Sequence, residues 1–150
     1  MIRLSKLTDY AVVMLSHMAA REGEVYTACR LATRTSVPEP TAAKILKHLA
    51  KAGILSSQRG SNGGYELARP AAEVSVAEII VALEGPIALA ACVDGSDDHC
   101  GVERLCAMRG NWNRVNTAIR AALEDITLAD MAQPFAFSPA PEARPAESLT

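Results

Sequence analysis

Apolar residues recur at helical spacing in three early stretches of the chain, with turn-forming residues between them. Leu7, Tyr10, Ala11, Met14, Leu15 and Met18 fall at intervals of three and four, which predicts a helix from a Ser5 cap to about Ala20. Asp9 lies near its start, and Gly23 ends the unit. Thr27 is a second cap candidate, opening a short helix over Ala28–Thr35 with Leu31 and Ala32 facing inward. Ser36, Val37 and Pro38 read as a turn, and Pro40 suits the first turn of a third helix, which continues through Thr41–Ala52 and stops at Gly53. Ala42, Ile45, Leu46 and Leu49 form its buried stripe, while Thr41, Lys44, Lys47, His48 and Lys51 face out.

The pattern then changes period. Ile54–Gln58 and Tyr65–Leu67 are short strand-like runs around Arg59, Gly60, Ser61, Asn62, Gly63 and Gly64, residues that permit positive φ and so predict a β-hairpin. Ser75 caps a further helix over Val76–Leu83, expected to pack against the hairpin, and Glu84-Gly85-Pro86 breaks it. Later, Met108, Trp112, Val115, Ile119, Ala122 and Ile126 recur at spacings of three and four, an a/d-like seam on one helix. Few helices remain to cover so long a stripe, so dimerisation is expected. From Gln133 onward the chain is rich in Pro, Ala and Ser without periodicity, the composition of a disordered tail.

Two short helices joined by a tight turn, the second one basic, form a helix-turn-helix pattern, and a hairpin directly behind it is a wing. The expected architecture is mainly α with a small β-wing: a winged helix-turn-helix plus a long dimerisation helix. It divides into a DNA-binding domain over 1–84, a loop over 85–107, a dimerisation helix over 108–131 and a tail over 132–150. The DNA-facing set would be Thr27, Pro40, Thr41, Lys44, Lys47 and His48, with Arg59, Gly60, Ser61 and Asn62 on the wing. Lysines can meet phosphates, first-turn residues can reach base edges, and Arg59 can enter a narrow minor groove.

Charge sharpens that picture. Residues 1–69 carry ten Lys/Arg against five Asp/Glu, and residues 70–150 carry five against twelve, although the whole chain of 150 residues is only −2. A basic first half suits a polyanion partner, here a double-stranded DNA operator. With two Phe, three Tyr and one Trp, the core must be aliphatic. No apolar run approaches a membrane span and the first residues lack a signal-peptide core, so a cytoplasmic protein without membrane association is expected.

Cysteine adds the candidate chemistry. Cys92, Cys100 and Cys106 fall in one polar, acidic stretch, with seven residues between the first two and five between the last two. In a reducing compartment such a cluster reads as metal-binding or redox-sensing rather than as a disulfide framework. Buried thiols, a redox disulfide, a zinc site and an iron–sulfur cluster all remain open on these residues. Cys29, alone in the second helix, reads as a small buried residue. No Ser/His/Asp or Cys/His set and no phosphate-cradling glycine loop opens a helix, so the chain is not expected to be an enzyme. A zinc-stabilised interaction module without DNA binding is the reading from another class.

SKLTDYAV, the hairpin GILSSQRGSNGGYELARP, SVAEIIVALEG and three cysteines before a long helix together resemble the Rrf-two family of winged-helix regulators, the IscR and NsrR type, over about residues 1–130. The family includes regulators of the SUF iron–sulfur assembly system. The resemblance implies a homodimer whose long helices cross, a palindromic operator, and an iron–sulfur cluster (4Fe-4S or 2Fe-2S) ligated by Cys92, Cys100 and Cys106. Two departures stand out. The first cysteine interval is longer than is usual in IscR- and NsrR-like proteins, and Arg109 stands where IscR-like members have a His. A guanidinium stays protonated and cannot ligate. In NsrR-like members an Asp at the place of Asp9, reaching over from the partner subunit, completes the site; His99 is the runner-up. The implied function is a repressor of SUF genes, with an NO- or redox-sensing NsrR-like repressor as the nearest alternative.

Overall fold

The computed structural model describes residues 3–102 and 105–133, as six helices, a two-stranded hairpin and one short 3-10 turn. The first helix, α1 (Lys6–Ala19), starts at Ser5, whose side chain accepts the Thr8 N–H at 3.2 Å. Ala11, Met14, Leu15 and Met18 are its buried face, at the expected spacing. Thr27 caps α2 (Ala28–Thr35) by accepting the Arg30 N–H at 3.2 Å, and Ser36 turns the chain in the left-handed region at φ 58°. The second helix of the pair, α3 (Glu39–Lys51), carries Pro40 in its first turn. Its Ala42, Ile45, Leu46 and Leu49 have no exposed surface. They join Tyr26, Leu31 and Val37 in one largely aliphatic core.

After α3, strands β1 (Leu55–Gln58) and β2 (Gly64–Leu67) pair antiparallel, with Leu55 opposite Leu67 and Gln58 opposite Gly64. The hairpin is more firmly tied than its sequence suggests. Tyr26 and Tyr65 exchange two backbone hydrogen bonds of 2.8 Å, so the segment before α2 acts as a third edge of the wing. A Cβ on Gly64 would come within 2.5 Å of the Tyr26 carbonyl oxygen, so this close approach requires glycine.

The helix α4 (Val76–Glu84) begins with a capping box, in which the Ser75 side chain accepts the Glu78 N–H and Glu78 accepts the Ser75 N–H. It packs chiefly against α1, α3 and α5 (Arg109–Asp125) rather than against the hairpin, where the sequence had placed it. Val76, Ala77, Ile79 and Ile80 supply a buried surface too wide for the small wing to cover.

The helix expected over 108–131 is two helices, α5 and α6 (Leu128–Ala132). Thr127 ends one and caps the other through a capping box with Asp130. The break is held by backbone pairing to the segment before α4: Val76 N–H donates to Ile126 O at 2.9 Å and Leu128 N–H to Val74 O at 2.7 Å. α6 then folds onto α1, and Leu128 is fully buried in the core. The tail expected from 132 lies, beyond Gln133, outside the described residues.

Candidate DNA-binding face and cysteine loop

The apolar stripe of α3 fixes which residues face solvent. Lys44, Lys47, His48 and Lys51 are exposed, and Thr41 is half-buried. None of the three lysines has an ion pair with any described residue. A ring nitrogen of His48 lies 2.9 Å from the Lys44 carbonyl, which turns that imidazole back along its own helix. Pro40 is exposed at the start of the same helix.

At the wing tip Arg59, Gly60, Ser61 and Asn62 are all exposed. The turn closes through a Gly63 N–H to Gly60 O bond of 3.0 Å, with Gly60 at φ +108°, where a side chain would be strained. Thr27 is exposed, but its hydroxyl is already engaged in capping α2. Among the described residues, the exposed lysines of α3 and Arg59 at the tip of the wing are two cationic edges that a polyanion could meet.

Arg30, exposed on α2, is a further cation, held against the segment that precedes its helix. Its guanidinium lies 4.8 Å from the Tyr26 ring centroid and pairs with Glu24. The Tyr26 hydroxyl donates to the same carboxylate at 2.8 Å. The Tyr26 hydroxyl first, then Arg30, hold the Glu24 carboxyl below its ordinary range. No helical periodicity could have signalled a contact whose members come from a loop and a helix.

The cysteine loop hangs between α4 and α5. Its start is pinned to α5 by two asparagines that were not singled out in the sequence. Asn116, only 3% exposed, accepts the Leu89 N–H at 3.0 Å and donates to Ile87 O at 3.1 Å. Asn113 accepts the Asp94 N–H at 2.8 Å and donates to the Asp94 carboxylate at 3.0 Å. Asn is a poor choice for a helix interior unless its amide serves such backbone groups, and that was the available signal.

Cys92 is buried in this pinned portion, whereas Cys100 and Cys106 are half-buried further along. All four cysteines are free thiols, and Cys29 is exposed on α2, contrary to expectation. The α2 core is filled by Leu31 and Ala32, and position 29 lies off that stripe. Among the described residues no group of three or more His, Cys, Asp or Glu side chains is placed to hold a metal ion. Asp9 is exposed on the first turn of α1 and His99 is exposed in the loop. The donor chemistry nevertheless fits a thiophilic centre: three free thiols on one polar loop, with oxygen or imidazole donors exposed elsewhere.

A helix-turn-helix with exposed lysines on its second helix, followed by a glycine-rich wing, defines a DNA-binding transcriptional regulator. The chain belongs to the Rrf2 (Rrf-two) family, described as iron-dependent transcriptional regulators, which it matches over residues 4–134. It is 29% identical over 131 residues to the HTH-type transcriptional regulator NsrR of Oceanobacillus iheyensis, spanning 87% of this chain and 89% of that one. Its fold is similar to that of CymR, the global cysteine regulator of B. subtilis, with a TM-score of 0.67, 26% identity and coverage of 88% and 97% of the two chains. It is also similar to T. potens IscR, with a TM-score of 0.64, 29% identity and coverage of 87% and 85%. These relatives are regulators, not enzymes, and the expectation of a non-enzyme stands with them. No helix among the described residues is long and apolar enough to cross a membrane.

Proposed function

We propose that this protein is a dimeric, iron–sulfur-dependent repressor of SUF-type assembly genes, acting in the cytoplasm. The observation that carries the reading is the placement of Cys92, Cys100 and Cys106, all free, on one loop between α4 and α5. These residues, with Asp9 of the partner subunit, would hold the cluster. When bound, the cluster would supply a centre sensitive to iron–sulfur status, oxidants or NO, with an oxygen ligand as its weakest point.

The rest of the mechanism belongs to the chain itself. Lys44, Lys47 and Arg59 contact phosphates or the minor groove, while Pro40, Thr41 and His48 meet the major-groove edge. Loop N–H groups at Gly60, Ser61 and Asn62, and the α2 start at Thr27, set the register against the backbone. Two such units related by a dyad read a palindrome with half-sites about one helical turn apart, or a multiple of that.

Purification without oxygen, followed by visible absorption and analysis of iron, sulfide and zinc, tests the reading. An absorbing protein containing iron and sulfide is expected, and loading should fail in a Cys92→Ala, Cys100→Ala double variant. A colourless protein with stoichiometric zinc would instead support a zinc-stabilised module. The similarity to NsrR and the exposed Asp9 favour a second reading of the same scaffold, an NO- or redox-sensing repressor. Operator release on addition of NO, without release on iron starvation, would select it.

A further inference from the structure

Glu84 is the last residue of α4, and Gly85, at φ +87°, turns the chain from there into the cysteine loop. A carboxylate at the C-terminal end of a helix faces the negative end of that helix's own dipole, which disfavours it. The reason for this residue lies in another element. One carboxylate oxygen of Glu84 accepts the backbone N–H of Ser5 at 2.9 Å and also the hydroxyl of Thr8. Both donors lie at the N-terminus of α1, where unpaired N–H groups and the positive dipole end favour an anion.

The contact is built rather than incidental. Thr8 has no exposed surface, and its hydroxyl lies 3.2 Å from Ser5 Oγ, the same atom that caps the helix. Burial alone would raise the Glu84 carboxyl, but the Thr8 hydroxyl and Ser5 N–H outweigh it and hold it below the ordinary range. Ser5 and Thr8 stand 79 and 76 residues away in the chain, so no local turn imposes the arrangement.

The elements on either side give this clasp its consequence. α4 runs directly into the loop that carries Cys92, whereas α1 packs against the recognition helix α3 and against α6. Asp9, whose N–H donates to the Ser5 carbonyl at 3.1 Å, shares the clasped turn. We infer that Glu84 is the positioning residue through which the state of the cysteine loop is passed to α1, and through α1 to the DNA-reading helix. A shift at the loop root moves the acceptor that fixes the first turn of α1. The same shift resets where Asp9 stands for a partner subunit.

This rests on the loop being the sensing element, and the experiment separates the two ideas. Protein purified without oxygen is compared with the same protein stripped by chelator and ferricyanide. The probe is a duplex recovered from random DNA by whichever wild-type form binds more tightly. The readout is the ratio of dissociation constants of the two forms. For the wild type a ratio of about 5–150 is expected, the ordinary range of allosteric coupling. Glu84→Ala should bring that ratio to within about twofold of unity, while circular dichroism stays unchanged. Glu84→Gln, which keeps the acceptor oxygen, should restore it. A merely structural role would weaken both forms alike and leave the ratio intact, and that result overturns the inference. If Glu84→Ala does not fold, Thr8→Val removes one donor and should lower the ratio; an unchanged ratio there overturns it equally. A wild-type ratio of one, seen before any variant is made, overturns the sensing reading and the inference with it.

Discussion

Arg59 stands at the base of the wing tip, exposed and without an ion pair to any described residue. Its removal therefore breaks no ion pair or side-chain hydrogen bond among the described residues, so the variant reads chiefly on DNA. Arg59→Ala should weaken binding and lower the slope of log affinity against log salt by about one, measured by fluorescence anisotropy across a salt series. An unchanged affinity removes the wing tip from the interface. Asn116 is the opposite case, a buried amide that serves two backbone groups of the loop start. Asn116→Ala leaves the Leu89 N–H and Ile87 carbonyl without this partner, and should cost about 1–3 kcal/mol in urea unfolding. A variant as stable as the parent would mean that water replaces the amide at no cost. Residues of this kind mark the edge of what the sequence shows. The exposed lysines of α3 follow from the apolar stripe opposite them. Asn116, Arg30 and Glu84 take their meaning from partners on other elements, and no spacing rule reaches those. Cys29 failed for a related reason, since a residue's average burial says nothing about which side of a short helix it occupies.

At the scale of elements, the helix-turn-helix was legible because caps and stripes agreed. Ser5, Thr27 and Ser75 each cap the helix that they were expected to cap, and the buried positions of α1 and α3 fall on the predicted faces. The break between α5 and α6 was not legible, because Ile126 continues the three-and-four spacing straight across it. The decisive force is tertiary: Ile126 and Leu128 pair their backbones with Val76 and Val74, which the straight helix would forbid. That junction joins the start of α4 to the end of α5, just as Glu84 joins the end of α4 to α1. Both ends of α4 are thus fastened, and Glu78 helps at the first. Burial by itself would raise its carboxyl, yet the Ser75 N–H and the Arg69 guanidinium at 2.7 Å hold it below the ordinary value of 4.5. Folding favours the ionised form, so its contribution is complete above that value and is lost as pH falls through the lower folded value. Glu78→Gln should therefore flatten the fall of melting temperature as pH drops below 4.5, relative to the parent. Identical slopes would show that the capping box titrates no differently folded and unfolded.

Over the described residues, the aliphatic core closes around α1, α2, α3 and the returning α6, and none of them covers one face of α5. Met108, Trp112, Val115 and Ile126 are each more than 40% exposed, and Val115, Ala118, Ile119 and Ala122 line a shallow apolar groove between them. A contiguous apolar stripe of this length is characteristic of a covered surface in the working protein. The apolar stripe read in the sequence is present, on a shorter helix than expected, and in the dimer proposed above it would meet the same stripe of a second copy. Val115→Asp places a charge at its centre without entering the core, so circular dichroism should be unchanged while sedimentation reports a halved mass. Such a monomer can offer only one wing and one recognition helix, and should lose the preference for a palindrome over a single half-site. Metal content adds a separate reading. If Asp9 of the partner subunit completes the site, the monomer should lose metal faster than Glu84→Gln, which leaves the seam alone. A Val115→Asp monomer that keeps its metal as long as the parent would place every ligand within one chain and return Asp9 to the first turn of α1.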